Sequence, residues 1–143
     1  MQKVFSYQLD QLSQIAEELL GSFTHKTVLF RGEMGSGKTT LIKKILEAME
    51  TLDKVQSPSF SLVNEYHTKA GTVFHFDLYR IEDPNEIWDL GFEDYLTCND
   101  WLFIEWPEQI IDILPSGFDI VDIKIKSELS RSLKLTIDKE VLT

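Results

Sequence analysis

Residues Gly32-Glu33-Met34-Gly35-Ser36-Gly37-Lys38-Thr39-Thr40 contain the spacing G-x-x-x-x-G-K-T, which suits one chemistry above others: holding a polyphosphate. Glycines let the backbone turn sharply enough for successive N–H groups to line an anion nest. Lys38 is placed to reach β- and γ-phosphates, and the Thr39 hydroxyl to sit on a magnesium ion. Two acids further on extend the set. Asp77 ends the apolar run Val73-Phe74-His75-Phe76, and Glu105 ends Trp101-Leu102-Phe103-Ile104. An acid closing a buried strand is where such sites place a magnesium ligand or a group that orders water. His75 and Asp77 alternate along one strand and could share a metal, although a hydrogen-bonded core histidine is the plainer reading.

These groups need strands behind them and a helix in front. Thr27 to Phe30 reads as a short strand entering the loop, and Leu41, Ile42, Ile45, Leu46 and Met49 recur with helical period after it. Upstream, Leu9, Leu12, Ile15, Ala16, Leu19 and Leu20 mark one face of a helix, with Ser6 as the expected N-cap and Gly21 as the stop. This stretch either packs the core or lies against a nucleotide base. Leu62 to His67 and Thr72 to Asp77 read as a hairpin around Thr68-Lys69-Ala70-Gly71. Asp83-Pro84-Asn85-Glu86 carries a helix-start pattern, with Gly91 as the stop. A short helical turn is expected over Ile110 to Leu114. Alternation at Val121, Ile123, Ile125 and at Leu133, Leu135, Ile137 predicts a second hairpin. Arg131, at its turn, is either exposed or in reach of the nucleotide. Ser57 and Ser59, in the segment after the loop helix, are placed to sense a γ-phosphate as switch hydroxyls, although a Pro-containing turn before a strand is the plainer reading of Ser57-Pro58-Ser59-Phe60.

At 143 residues, the chain has the length of one domain, here taken as 1–143, with a single sizeable core. Its net charge of −10, from 14 basic and 24 acidic residues, repels nucleic-acid phosphates, so work on RNA would pass through a partner. The single Cys98 allows no internal disulfide. The absence of a secretory pattern or an apolar span of about 18 residues points to a cytoplasmic protein without membrane attachment.

Taken together, five blocks resemble the TsaE (YjeE) family of bacterial ATPases. They are the loop Gly32 to Thr40, Ser57-Pro58-Ser59-Phe60-Ser61-Leu62-Val63, His75-Phe76-Asp77-Leu78-Tyr79-Arg80, Asp83-Pro84 with Glu86, and Ile104-Glu105-Trp106-Pro107-Glu108. The resemblance implies a P-loop NTPase-like α/β fold, a three-layer α/β/α sandwich around a mixed β-sheet. It also implies a part in the threonylcarbamoyladenosine modification of tRNA, performed with the TsaD and TsaB proteins, so that tRNA is met only through the complex and DNA not at all. By motif match, Gly35, Ser36, Gly37, Lys38, Thr39 and Thr40 would cradle ATP, Thr39 and Glu105 would hold Mg²⁺, and Asp77 would sit near the γ-phosphate. Three positions depart from the family pattern: Ser59 replaces the commoner Thr, Glu33-Met34 the commoner Asp-Leu, and the N-terminal segment lacks a Thr before its helix.

The mechanism expected is slow ATP hydrolysis in which Lys38, Asp77 and Glu105 act, completed by Arg80 or by a partner's arginine. Trp106 and Arg80 join Ser57 and Ser59 as candidates for a switch or partner-linked role, and Arg131 joins the nucleotide-binding set. The alternative is a P-loop small-molecule kinase. Kinases of that kind clamp two substrates with several lid arginines, whereas this chain has only Arg31, Arg80 and Arg131. A third reading is a nucleotide-gated interaction module with negligible turnover. With no guanine-reading N-K-x-D pattern, adenine is the expected base.

Overall fold

The computed structural model describes residues 2–53, 62–115 and 117–137. Ser57 and Ser59 lie outside the described residues. Among the described residues, seven strands form one mixed sheet: β1 (Gln2–Gln8), β2 (Thr27–Arg31), β3 (Val63–Thr68), β4 (Gly71–Asp77), β5 (Trp101–Glu105), β6 (Phe118–Ile125) and β7 (Ser130–Ile137). Their order across the sheet is β1-β7-β6-β2-β5-β4-β3. The centre is parallel, with β2 flanked by β5 and β6, and β4 running parallel beside β5. Both margins are antiparallel.

The central strand explains the layering. Val28, Leu29 and Phe30 are all fully buried, the continuous apolar run of a strand covered on both faces. On one face, α1 (Leu12–Ser22) and α2 (Lys38–Ala48) bring Leu19, Ile42 and Ile45 onto Phe30, Phe103 and Val121. On the other, α3 (Asn85–Asp89) and α4 (Phe92–Thr97) bring Ile87 and Phe92 onto Leu29, Phe76 and Ile104. The result is the expected α/β/α sandwich. Among the described residues, no helix is long and apolar enough to cross a membrane.

The α3 start follows its sequence pattern. Asp83 Oδ1 accepts the Asn85 N–H at 3.0 Å, and Glu86 Oε2 accepts the Asp83 N–H at 3.3 Å, so two orphan donors are satisfied reciprocally. The amino-terminal expectation is corrected. Ser6 does not cap a helix; it lies inside β1, opposite Ser132 of β7. The chain turns at Leu9–Gln11, where Gln11 Oε1 accepts the Gln8 N–H at 2.8 Å, and α1 begins only at Leu12. Gly21 does not stop α1 either. The helix passes through it, because a lone glycine costs only about 1 kcal/mol, and closes where the Phe23 N–H meets the Leu19 carbonyl at 3.0 Å.

Candidate functional site

β2 delivers the chain into the glycine-rich loop, and α2 takes it out. Gly35 (φ +79°) and Gly37 (φ +105°) both occupy the left-handed region, where a side chain would be strained, so the loop's shape requires glycine at both. Gly37 is the residue before α2, and its carbonyl accepts the Leu41 N–H at 2.9 Å. The first N–H groups of α2, unpaired within the helix, therefore open at the loop with the positive end of the helix dipole. Gly32 is needed for room. A Cβ there would lie 2.5 Å from Ser36 Oγ and 3.0 Å from the Ile123 carbonyl.

Lys38 is buried within this loop. Its ammonium donates to the Gly32 carbonyl and to the Glu33 carbonyl at 3.2 Å, and stands 3.8 Å from the centre of the Trp106 ring. Burial lowers its pKa, while Glu105, Glu108, Asp77 and Glu33 pull the other way. Those acids oppose the desolvation without reversing it. Trp106 packs against Tyr79, with ring centroids 4.9 Å apart and the planes tilted by 47°, and its own backbone is left-handed at φ +56°.

Parallel pairing of β4 and β5 sets Asp77 beside Glu105 in register. Alternation puts His75, Asp77 and Glu105 on the sheet face that carries α2. Glu105 is buried, and it receives the Thr39 hydroxyl at 2.7 and 3.0 Å and His75 Nε2 at 2.5 Å. His75 Nδ1 is buried without a partner. A proton there would be stranded, so it is Nε2 that carries a proton and donates to Glu105. Asp77 accepts the Tyr79 N–H at 3.1 Å. Burial raises its pKa and Glu105 adds to the rise, against His75, Lys38 and that hydrogen bond.

Two cavities flank the loop. One, of about 300 Å³, is lined by Gly35, Gly37, Lys38, Thr39, Thr40, Asp77 and Glu105, with Tyr79 and Trp106 as its aromatic wall. The other, of about 480 Å³, is bounded by Tyr7, Leu9, Leu12 and Ser13 on one side and by Gly35, Ser36, Gly37 and Arg131 on the other. Arg131 is not an exposed turn residue. It is buried, with Nε donating to the Ser36 carbonyl at 3.1 Å and Nη1 to the carbonyls of Ser127 and Ser130, both at 2.9 Å. Pairing of Tyr7 with Arg131 across β1 and β7 covers it. Arg80 is exposed and lines neither cavity. Tyr79 and Tyr7 were not singled out from sequence, whereas Leu9 and Leu12 belong to the stretch expected either to pack the core or to lie against a base. Tyr79's place two residues after Asp77 was the available signal.

The sequence profile described as "Threonylcarbamoyl adenosine biosynthesis protein TsaE" matches residues 6–134, a span that includes the loop, both acids and Arg131. The chain belongs to the TsaE family. A Haemophilus influenzae protein named tRNA threonylcarbamoyladenosine biosynthesis protein TsaE is 35% identical over 131 residues, covering 86% of this chain and 83% of that one. An Aquifex aeolicus protein of the same name is 33% identical over 125 residues, covering 85% and 83%. The crystal structure of Bacillus subtilis YdiB superposes with a TM-score of 0.71 over 97% of this chain and 88% of that one, at 22% identity, and so shares the fold.

The burial of Asp77 in this TsaE-family site carries a stability cost that can be measured. Because folding raises the Asp77 pKa, the native state holds that proton more tightly than the unfolded chain does. Stability is therefore lost as pH rises from the unfolded carboxylate value through the folded one, and the full penalty persists above it. Asp77→Asn is expected to be more stable than the parent at neutral pH, and to lose that advantage below about pH 4, where both states of the parent are protonated. Urea unfolding at the two pH values checks this; an advantage of equal size at both would refute it.

Proposed function

We propose that this TsaE-family chain is a magnesium-dependent ATPase that serves the threonylcarbamoyladenosine modification of tRNA, with its turnover completed by the TsaB and TsaD proteins. The observation that carries the reading is the Thr39 hydroxyl seated on the Glu105 carboxylate, in front of a glycine loop with an ammonium inside. A hydroxyl and a carboxylate from opposite sides of one cleft form the oxygen donor set that magnesium takes when phosphates and waters complete its shell. Thr39 and Glu105 would hold that ion, which when bound with ATP helps neutralise charge on the phosphoryl oxygens.

The chain's own residues do the rest. The loop amides and the α2 dipole favour the anion, and the Lys38 ammonium is its counter-charge. His75, donating to Glu105, fixes that carboxylate's orientation toward Thr39. Asp77, with an elevated proton affinity and a place on the same cleft, is suited to order the attacking water and draw its proton. The second cavity supports an adenine site, since Tyr7, Leu9 and Leu12 offer an apolar wall for a base and Asp10 and Ser13 offer polar edges.

Among the described residues no arginine lines the phosphate cleft: Arg131 spends its donors on the carbonyls of Ser36, Ser127 and Ser130, and Arg80 is exposed outside it. An absent arginine finger costs about 10³ to 10⁵ in rate. ATP turnover, followed as phosphate release, is expected to be slow for the chain alone and to rise by at least about 10-fold when TsaB and TsaD are added, part of the gain an arginine finger brings. Equal turnover with and without them would rule out partner completion.

A further inference from the structure

A third hollow lies on the far side of the phosphate loop from the cleft. It measures about 560 Å³ and lies on the outer face of β6, β7 and β1. The helices α3 and α4 pack toward β2, β4 and β5, and leave Val4, Lys124 and Lys134 on this half of the same face exposed. Arg31, Lys124, Lys126 and Lys134 all line it. Four cations of the chain's 14 thus gather on one face of a protein whose net charge is −10.

The four are not equivalent. Arg31 is already matched by Asp122, in a two-bond pair at 2.7 and 3.0 Å. Lys124, Lys126 and Lys134 form no ion pair with any described residue. Like charges held close on an exposed surface repel one another, which costs stability unless something of opposite sign relieves it. We propose that this face docks an extended acidic segment of a protein partner.

The arrangement favours a peptide over a nucleic acid. Lys124 and Lys126 are two residues apart along one extended stretch, about 7 Å, which is also the spacing of alternate side chains on an extended ligand. Lys134 stands on the neighbouring strand, opposite Asp122. Three free ammonium groups suit two or three carboxylates. A nucleic-acid site with 6 to 10 phosphate contacts would need about two to three times as many cations as these three lysines. The surrounding net charge opposes it further, and among the described residues no aromatic side chain lines the hollow for a base to stack on. Gly32 and Glu33 form one wall, so an occupant meets the first residues of the phosphate loop from behind.

The test is an amide-resolved NMR titration of the full chain with synthetic hexaglutamate, run in parallel with hexaglutamine and an RNA hexanucleotide. Hexaglutamate is expected to shift resonances of β6 and β7 around Lys124 and Lys134, and hexaglutamine to shift none. The combined variant Lys124→Gln, Lys126→Gln, Lys134→Gln is expected to weaken hexaglutamate binding by about 10-fold or more, while Lys3→Gln, Lys69→Gln leaves it within about 2-fold. Lys38→Ala is expected to leave the titration unchanged, which separates this face from the nucleotide site. Shifts that survive the triple substitution, or an RNA response as strong as that of hexaglutamate, would overturn the proposal.

Discussion

Lys38→Ala is expected to lower ATP turnover by at least about 10²- to 10³-fold, the range lost when a single preorganised electrostatic group is removed from a reacting centre. The loss is large because nothing nearby can substitute. Lys38 is the one cation among the described residues lining the phosphate cleft, and the same cleft holds Asp77 and Glu105. Without it, a polyphosphate would face those carboxylates unopposed. Its present partners, the Gly32 and Glu33 carbonyls, sit at the exposed end of β2 and can turn to water, so the variant should fold. Phosphate release, together with calorimetric titration of ATP in the presence of magnesium, checks the result. Tight ATP binding with undiminished turnover in Lys38→Ala would remove the basis of the proposed site.

Glu105→Gln is expected to separate binding from hydrolysis. The substitution keeps size and shape and retains an amide oxygen for the Thr39 hydroxyl, but removes the buried negative charge. The fold should accept it, because His75 can donate from Nε2 to the amide oxygen as it does to the carboxylate. Turnover should fall by about 10²- to 10³-fold, with the magnesium requirement weakened and ATP binding retained through the loop and Lys38. Single-turnover hydrolysis beside calorimetric binding distinguishes the two effects. A Glu105→Gln chain that no longer hydrolyses ATP yet fully supports threonylcarbamoyladenosine formation would favour a nucleotide-gated module over an ATPase.

The parts of the site legible in the sequence are those whose chemistry is local. The loop announces itself because Gly35 and Gly37 must be glycine and Lys38-Thr39 must follow directly. Asp77 and Glu105 were legible because each closes a run of apolar residues, and parallel pairing then brings them side by side. The parts missed depend on partners far along the chain. β1 has a mostly exposed pattern with only Tyr7 buried, so neither alternation nor apolar content marks it as a strand. Its evidence lies in β7, more than a hundred residues away. Once that pairing is absent from the reading, Ser6 looks like a helix cap and Arg131 like a turn residue in water. With it in place, Arg131 is covered by Tyr7 and held against the Ser36 carbonyl.

That β1 pairs with β7 also has a consequence for synthesis. Chains are made from the amino end at about 5 to 20 residues per second. Strand β1 emerges first and has no lateral neighbour until the last strand of the sheet has left the ribosome. For most of translation it is an unpaired edge, and its mostly polar, exposed residues suit it to wait in solvent without recruiting another nascent chain. Its docking brings Tyr7 and Leu9 up to Arg131, so the wall of the cavity beside the phosphate loop is assembled last. A half-made chain can therefore form the loop but not the chamber next to it.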